Sequence, residues 1–473
     1  MALRRLRQLA AIVETSPGVV NTGVFAAAQA QHLIRSDATM DADIPLFDRD
    51  ILRASLTNLE GLAGKQMMTC KFSLELTGEA SSGTPPWDIF MRACGWRSTP
   101  QSKITIGAIT GGPFRHGELI TQAVSAATAR VAHDTYTGTT TLYVYDVTGT
   151  PNGTGIWTGG STAATATPST VETAAGIVYY PINNPTMRLT YTGSVTGTIS
   201  VDEVITGGTS GAIGIVVAHD TVGKTIDVRV HNGINYSTGE TVTTAAADSV
   251  VINTSAVERD IPALTLAGYH DGVRVAMGGS RGTWSYQANV GEPGIMTFDF
   301  KGLFGAVADV SNLSGITYPL KVPPVFLSAG LIFAAENSAT TYSPRCSSVS
   351  LALNNSVEYR EDANKTTGIM ETVISNRGPN GSIDPELDLE TSFPVIANFV
   401  AGTVSRMRWT QGTANGNKFL FSVPGAMYRQ VQNADRAGIA TRGIQFDASG
   451  GHWTNASNTA GADNEIVLSY ITA

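Results

Sequence analysis

The feature that most restricts this chain is an internal repeat. Gly117-Glu118-Leu119-Ile120-Thr121 precedes Val131-Ala132-His133-Asp134-Thr135, and Asp202-Glu203-Val204-Ile205-Thr206 precedes Val217-Ala218-His219-Asp220-Thr221. The two copies lie 85 to 86 residues apart. Gly239-Glu240-Thr241-Val242-Thr243 echoes the start of the unit 37 residues after the second copy. Each unit reads as a turn, a strand, a small-residue turn (Ser210-Gly211-Ala212 in the second copy) and another strand. Repetition of so small a unit implies that two copies together bury a face that neither buries alone. Residues 113–257, rich in Thr, Gly, Ala and Val, are therefore expected to form an inserted, duplicated β domain.

The composition agrees with a strand-rich chain. Charged residues make up 15 % of the 473, against about 25 % in ordinary soluble domains. Hydrophobic residues reach 42 %, enough for real cores, and there are 50 glycines. A disordered chain would invert that balance. The segment 117–257 holds ten acidic and four basic residues, so it carries six of the eight formal negative charges. The rest is nearly neutral, and no basic patch marks a tight nucleic-acid binder.

The flanks, 1–112 and 258–473, read as the two parts of one interrupted domain. Residues 1–34 show little periodicity and are expected to be an arm. Residues 35–65 are polar, and Asp41, Asp43, Asp48, Arg49, Asp50 and Arg53 make the stretch too long and too charged for a tight turn; loops of that length are usually functional or interfacial. Met67 to Leu76 alternates, with Phe72, Leu74 and Leu76 on one face, and predicts a strand. Next comes a predicted helix with Thr84 as N-cap, Pro85 in its first turn and Gly95 closing it. Its stripe Trp87, Phe90, Met91 and Cys94 should pack on a sheet. After 258, short predicted strands follow at Val273 to Met277, Trp284 to Gln287, Met296 to Phe300, Val325 to Phe333, Ser347 to Leu353, Thr403 to Trp409, Lys418 to Ser422, Met427 to Val431, Ile439 to Phe446 and Glu465 to Tyr470. The pattern implies a mainly β fold: an antiparallel sandwich or barrel with one flanking helix, interrupted by the duplicated β domain.

Chemistry-bearing motifs are sparse. Cys70, Cys94 and Cys346 are far apart and read as free thiols. There is no run of about 18 uncharged apolar residues and hence no expected membrane span, and the N-terminus makes a poor signal peptide. His133-Asp134 and His219-Asp220 resemble base-and-orienter pairs, but they recur at equivalent repeat positions before a Thr, which favours turn chemistry. Gly278-Gly279-Ser280-Arg281-Gly282 reads as a tight turn rather than a phosphate loop, since no helix follows it. The acidic run Asp384 to Glu390 reads as a solvated or interfacial loop, with cation binding as the weaker option. Trp157, Tyr179, Tyr180 and Tyr191 are candidates for a sugar-binding face or, more simply, for core. No catalytic, metal or cofactor residues are expected.

The order of elements in the flanks resembles the tail tube proteins (major tail proteins) of long-tailed, non-contractile bacteriophages. The resemblance runs through Asp48-Arg49-Asp50-Ile51-Leu52-Arg53, Leu62-Ala63-Gly64-Lys65 and Phe72-Ser73-Leu74-Glu75-Leu76 to Pro85-Pro86-Trp87 and Arg92-Ala93-Cys94-Gly95. It resumes at Asp271-Gly272, Gly279-Ser280-Arg281-Gly282, Phe298-Asp299-Phe300, Ser350-Leu351, Asn354-Asn355, Arg377-Gly378-Pro379, Gly381-Ser382-Ile383-Asp384-Pro385-Glu386, Pro424-Gly425-Ala426, Asp435-Arg436-Ala437-Gly438 and Glu465-Ile466. It covers roughly 35–105 and 260–473. The resemblance implies a non-enzymatic virion subunit, made in the host cytoplasm, whose rings, hexameric in the family, stack around a lumen for double-stranded DNA. Self-contacts and contacts with tape measure, tail terminator and tail-tip proteins follow from it. Asp41, Asp43, Asp48, Arg49, Asp50 and Arg53 become candidates for contacts between rings, the N-terminal arm a further one, and 113–257 is expected on the exterior. Another virion part (tail tip, fibre or decoration protein) and a carbohydrate-active enzyme using paired carboxylates are the alternatives.

Overall fold

The computed structural model describes residues 7–14, 18–21, 23, 25–49, 51, 59–79, 83–136, 138–182, 187–222, 224–230, 236–253, 261–318, 321–335, 340–450 and 464–472. Within them the chain is mainly β, with two short α-helices. The body is an antiparallel series of neighbouring strands. Met67–Glu75 pairs with Ile295–Asp309, which pairs with Val273–Asn289. Val273–Asn289 continues through Cys346–Ala352, Asn380–Pro385 and Ile439–Ser449 to Lys418–Arg436. Lys418–Arg436 then pairs with both Val404–Gln411 and Val467–Ile471. Strands from before and after the repeat segment are thus joined in one sheet, and the core they bury includes Phe72, Phe90, Trp284, Phe298, Trp409 and Phe421. The alternation at 67–76 does what its period requires: Met68, Cys70, Phe72, Leu74 and Leu76 are buried.

Four local readings need correcting. The first helix, α1, is shorter than its cap residues suggested. It runs Asp88–Ala93 with Trp87 at the N-cap, and Thr84 lies outside it. The stripe nonetheless packs as its spacing demands, with Trp87, Phe90, Met91 and Cys94 all buried. Gly278 to Gly282 is not a turn; it lies inside the continuous strand Val273–Asn289, where the ladder bulges between Gly278 and Arg281. The Glu14 carboxylate accepts the Gly279 N–H at 2.7 Å and the Thr265 hydroxyl at 2.8 Å, while Arg281 donates to Glu371 at 3.0 Å. Long-range partners hold the bulge, so the local sequence imitated a turn. Likewise Lys418–Arg436 runs through Pro424-Gly425 without a break. Of the expected 325–333 strand only Ile332 and Phe333 are regular, at the start of Ile332–Ala335.

Several elements were not expected, among them the strands Leu264–His270, Asn355–Glu361, Ile369–Arg377 and Asn380–Pro385. The second helix, α2, spans Val395–Ala401. Residues Arg7–Val13 do not behave as an arm; they pair in register with Leu264–His270, burying Leu9, Ala10 and Ala11.

The duplication is visible as topology. One six-strand array runs in the order Trp96–Ile106, Thr141–Thr148, Thr128–Val131, Leu119–Gln122, Trp157–Gly159, Thr165–Ala166. A second runs Met187–Thr190, Thr225–Val230, Ile213–Asp220, Val204–Gly207, Thr241–Thr244, Ser249–Val251. Each strand is shifted about 85 residues from its counterpart, and even the isolated bridges match: Thr110 to Thr165, Thr196 to Ser249. The copies do not share a core. Ile104, Ile120, Leu142 and Trp157 pack in the first, and Leu189, Ile205, Val216 and Val242 in the second. The first module is continuous with the body, because Pro168–Pro181 pairs with Trp96–Ile106 on one side and Val467–Ile471 on the other.

Candidate assembly interface

The polar stretch 35–65 contains the edge strand Thr39–Asp43, which pairs only with Met67–Glu75 among the described residues. Asp41 and Asp43 are exposed there. Charges on a sheet edge discourage uncontrolled pairing by a passing strand. Asp43 also lies beside Tyr359, whose hydroxyl is pushed up to about 12 by burial and by the neighbouring carboxylates. The chain then leaves the sheet. Leu46–Phe47 pairs with Leu62–Ala63 as a separate two-stranded ribbon, closed at its base by the Gly64 N–H donating to the Pro45 carbonyl at 2.8 Å. This arm is fastened at its root by Gln66 N–H to Thr367 O at 3.1 Å and by the Lys65–Glu361 ion pair.

Beyond the root the arm has little to lean on. Leu46 is 71 % and Phe47 58 % exposed, and Ile44 and Leu62 are exposed as well. Asp48 and Arg49 are exposed and form no ion pair with another described residue. Asp50 and Arg53 lie outside the described residues. Within this segment the side chains with something to gain from a partner are apolar rather than charged. Sequence reasoning passed over Leu46, Phe47 and Leu62, which are among several large apolar residues that interrupt the polar stretch 35–65.

The other candidates resolve into structural roles. His133 is buried, its Nδ1 2.7 Å from the Ser422 hydroxyl and its Nε2 2.6 Å from that of Ser469. Asp134 accepts the His116 N–H at 2.6 Å and lies 3.7 Å from both Arg115 and Arg406. The Arg406 and Arg408 guanidiniums sit over the Tyr136 ring at 5.0 and 4.8 Å. This polar junction fastens the first module to the body. Burial holds the His116 and His133 imidazoles below their ordinary range. His219 occupies the equivalent repeat position on a strand, bonded to Tyr191 Oη at 2.8 Å, and Asp220 caps a turn at the Val222 N–H.

The repeated Glu has a role that its spacing alone did not reveal. The buried Glu118 carboxylate accepts the Arg115 N–H at 3.1 Å, then reaches across to the tip of the next hairpin, taking the N–H groups of Ser161 at 2.9 Å and Thr162 at 2.7 Å. Glu240 does the same in the second module, with Ser237, Thr209 and Ser210. Burial alone would raise the Glu240 carboxyl, but the Ser210 and Ser237 hydrogen bonds bring it below its ordinary value.

Asp384, Glu386 and Glu390 of the acidic run are engaged by arginines: Asp384 and Glu386 by Arg436, and Glu390 by Arg442. No group of three metal-ligating side chains occurs among the described residues. Trp157, Tyr179 and Tyr191 are buried in three different cores, so they present no common sugar-binding face. The three cysteines are free, and burial pushes the Cys70 thiol up to about 12. No described helix is long and apolar enough to cross a membrane. No protein-family model and no curated protein matches the chain.

Proposed function

We propose that the chain is a structural subunit of a bacteriophage tail tube, assembling into stacked rings, hexameric as in the family it resembles, through which double-stranded DNA passes. The observation that carries this reading is the arm. A single-chain β protein with a well-filled core gains nothing from a two-stranded ribbon that holds Leu46, Phe47 and Leu62 in water. Exposed apolar groups on a projecting element are explained when another molecule covers them. The nearly neutral flanks fit a lumen along which DNA slides instead of binding.

In this reading the arm makes the contacts between rings, and tape measure, terminator and tip proteins meet the ends of the stack. The second repeat module lies on the tube exterior. Ile182, just before it, and Ile261, just after it, both lie against Gly95: the Ile182 N–H donates to the Gly95 carbonyl at 2.8 Å, and the Ile261 side chain approaches the Gly95 α-carbon. A module whose two connections leave the body at one place can project without disturbing it.

Electron microscopy of the purified protein, alone and seeded with tail tips, tests the proposal. Rings or hollow filaments are expected. A protein that stays monomeric at high concentration with seeds, or that forms solid fibres, would refute it.

A further inference from the structure

Besides the arm, the described residues expose apolar side chains around α2, Val395–Ala401, whose sequence contains no charged residue. Of its seven residues only Val395 is buried, while Ile396, Phe399 and Val400 are exposed, Val400 at 80 %. Leu387, Leu389 at 70 % and Met427 extend the exposed set. These belong to one surface. The Leu389 carbonyl accepts the Phe393 N–H at 2.9 Å, Phe393 anchors the segment in the core, and the C-terminal Gly402 lies against the Met427 side chain.

The rim of this platform is charged but self-compensated: Glu386 pairs with Arg436, and Glu390 pairs with Arg442. Glu390 also accepts the Ile396 N–H at 3.2 Å. Such a rim asks for an apolar partner rather than a strongly charged one. A third rim cation, Arg345, pairs with Glu386 at 3.7 Å while its side chain stays 87 % exposed. The arm offers the matching elements, an apolar tip with Asp48 next to Phe47.

The two features do not meet within one chain. The arm springs from the strand beside Met67–Glu75, and the platform is fixed to Ile439–Ser449 through the Leu387 N–H and the Ala440 carbonyl at 2.9 Å. Along the sheet Thr39–Asp43 and Ile439–Ser449 are six steps apart, or about 29 Å at ~4.8 Å per strand. Each feature presents on the order of 300–500 Å² of apolar surface. Since about 57 % of an ordinary interface is apolar, the whole contact comes to roughly 700 Å² per side, close to the ~800 Å² of a stable one.

We infer that the platform around α2 receives the arm of a second copy of this chain, with Leu46, Phe47 and Leu62 seated against Leu389, Phe399 and Val400. This rests on the self-assembling reading above and names the receiving surface. The contact is head-to-tail, because one patch meets a different patch. Such a contact repeats from copy to copy without using itself up.

The test uses two variants of the full chain, Leu46→Lys and Val400→Glu, alone and mixed. Both positions are exposed, so circular dichroism and melting should match the wild type. Alone, each puts a charge against an apolar patch, and the sedimenting assembly should fall about tenfold or more. Mixed in equal amounts, the lysine-bearing arm of one variant meets the glutamate-bearing platform of the other, and the unaltered arm meets the unaltered platform, so assembly should return. If Val400→Glu assembles like the wild type, or if both variants fail and the mixture stays unassembled, the inference is overturned while the tube reading stands. If the wild type itself never assembles, both fall.

Discussion

Replacing Glu118 with Ala removes one carboxylate from four donors at once: the N–H groups of Arg115, Ser161 and Thr162 and the Thr162 hydroxyl, which lies 2.9 Å away. Glu118 is fully buried, so water does not simply take its place. The Arg115 amide is buried too and bears the full cost of an orphaned donor, about 1–3 kcal/mol. Ser161 and Thr162 are half-buried, and each N–H loses a charge-assisted bond of roughly 1 kcal/mol after partial hydration. The hydroxyl can rotate and loses least. The expected total is roughly 3–5 kcal/mol, concentrated where the hairpins of Leu119–Gln122 and Trp157–Gly159 pair. Native-state hydrogen exchange reads this directly, because each 1.4 kcal/mol is tenfold in opening. Amides of 119–122 and 157–162 should exchange at least about a hundredfold faster in the variant. Glu118→Gln, which keeps an acceptor oxygen but aims an amide at a donor cluster, should fall between. Exchange within threefold of wild type in both variants would refute the idea that this carboxylate staples the two hairpins.

Much of the body was legible because its signals are local. Strict alternation at 67–76 and the i, i+3, i+4, i+7 stripe of Trp87, Phe90, Met91 and Cys94 follow from the period of each element, and burial obeyed both. Sequence reasoning failed where distant groups overrule local preference. Gly278 to Gly282 carries turn composition, yet Glu14 and Glu371, both remote in sequence, hold it in a bulged strand. Pro424-Gly425 reads as a break, but it falls where Lys418–Arg436 changes partners, so the ladder tolerates it. The repeat was found from its Glu and His-Asp positions. That Glu118 clasps Ser161 and Thr162 was hidden, because the receiving turn lies more than 40 residues away and its Gly-Gly-Ser-Thr sequence looks like ordinary loop. The ribbon of Leu46–Phe47 and Leu62–Ala63 lies in a stretch singled out for its charges, while its exposed apolar residues went unnoticed between them.

Acid should destabilise the protein. Burial against Phe90 lowers the His32 imidazole from its ordinary 6.5 to about 4, so the unfolded chain binds more protons between those values; stability is full above pH ~6.5 and falls as pH drops toward 4, by about 3 kcal/mol from His32 alone, with His116 and His133 adding in the same direction. Urea midpoints at pH 7.5 and 5 check this, and equal midpoints in the wild type would contradict it. Phe47→Asp should leave the melting temperature within about 1 °C, since the residue is 58 % exposed, yet abolish sedimenting assemblies. Gly279→Val should cost about 3 kcal/mol or more by denaturant titration, because φ is +56° and the new Cβ would lie 2.3 Å from Leu303. Deleting 187–253 across a short linker should leave tubes of unchanged inner diameter by electron microscopy; loss of tube formation would count against an exterior module.

The two repeat modules share a strand order but differ in how they couple to the rest of the chain, and that difference has consequences. In the first, the outer strand Trp96–Ile106 passes its second edge to Pro168–Pro181 and through it to Val467–Ile471, while His133 and Asp134 reach Ser422, Ser469 and Arg406. In the second, the matching strand Met187–Thr190 pairs on one side only among the described residues. The carboxylate staple also changes position. Glu118 lies on the hairpin that comes first in its module, and Glu240 on the one that comes second. Removing Glu240 should therefore open a local unit, with exchange rising across 204–210 and 241–244 and nowhere in the body. Removing Glu118 should also loosen Val467–Ile471, the strand that joins Pro168–Pro181 to Lys418–Arg436. If Glu118→Ala and Glu240→Ala gave equally confined exchange, sheet continuity would not be the route of coupling, and the polar junction at Asp134 would be left to carry it alone.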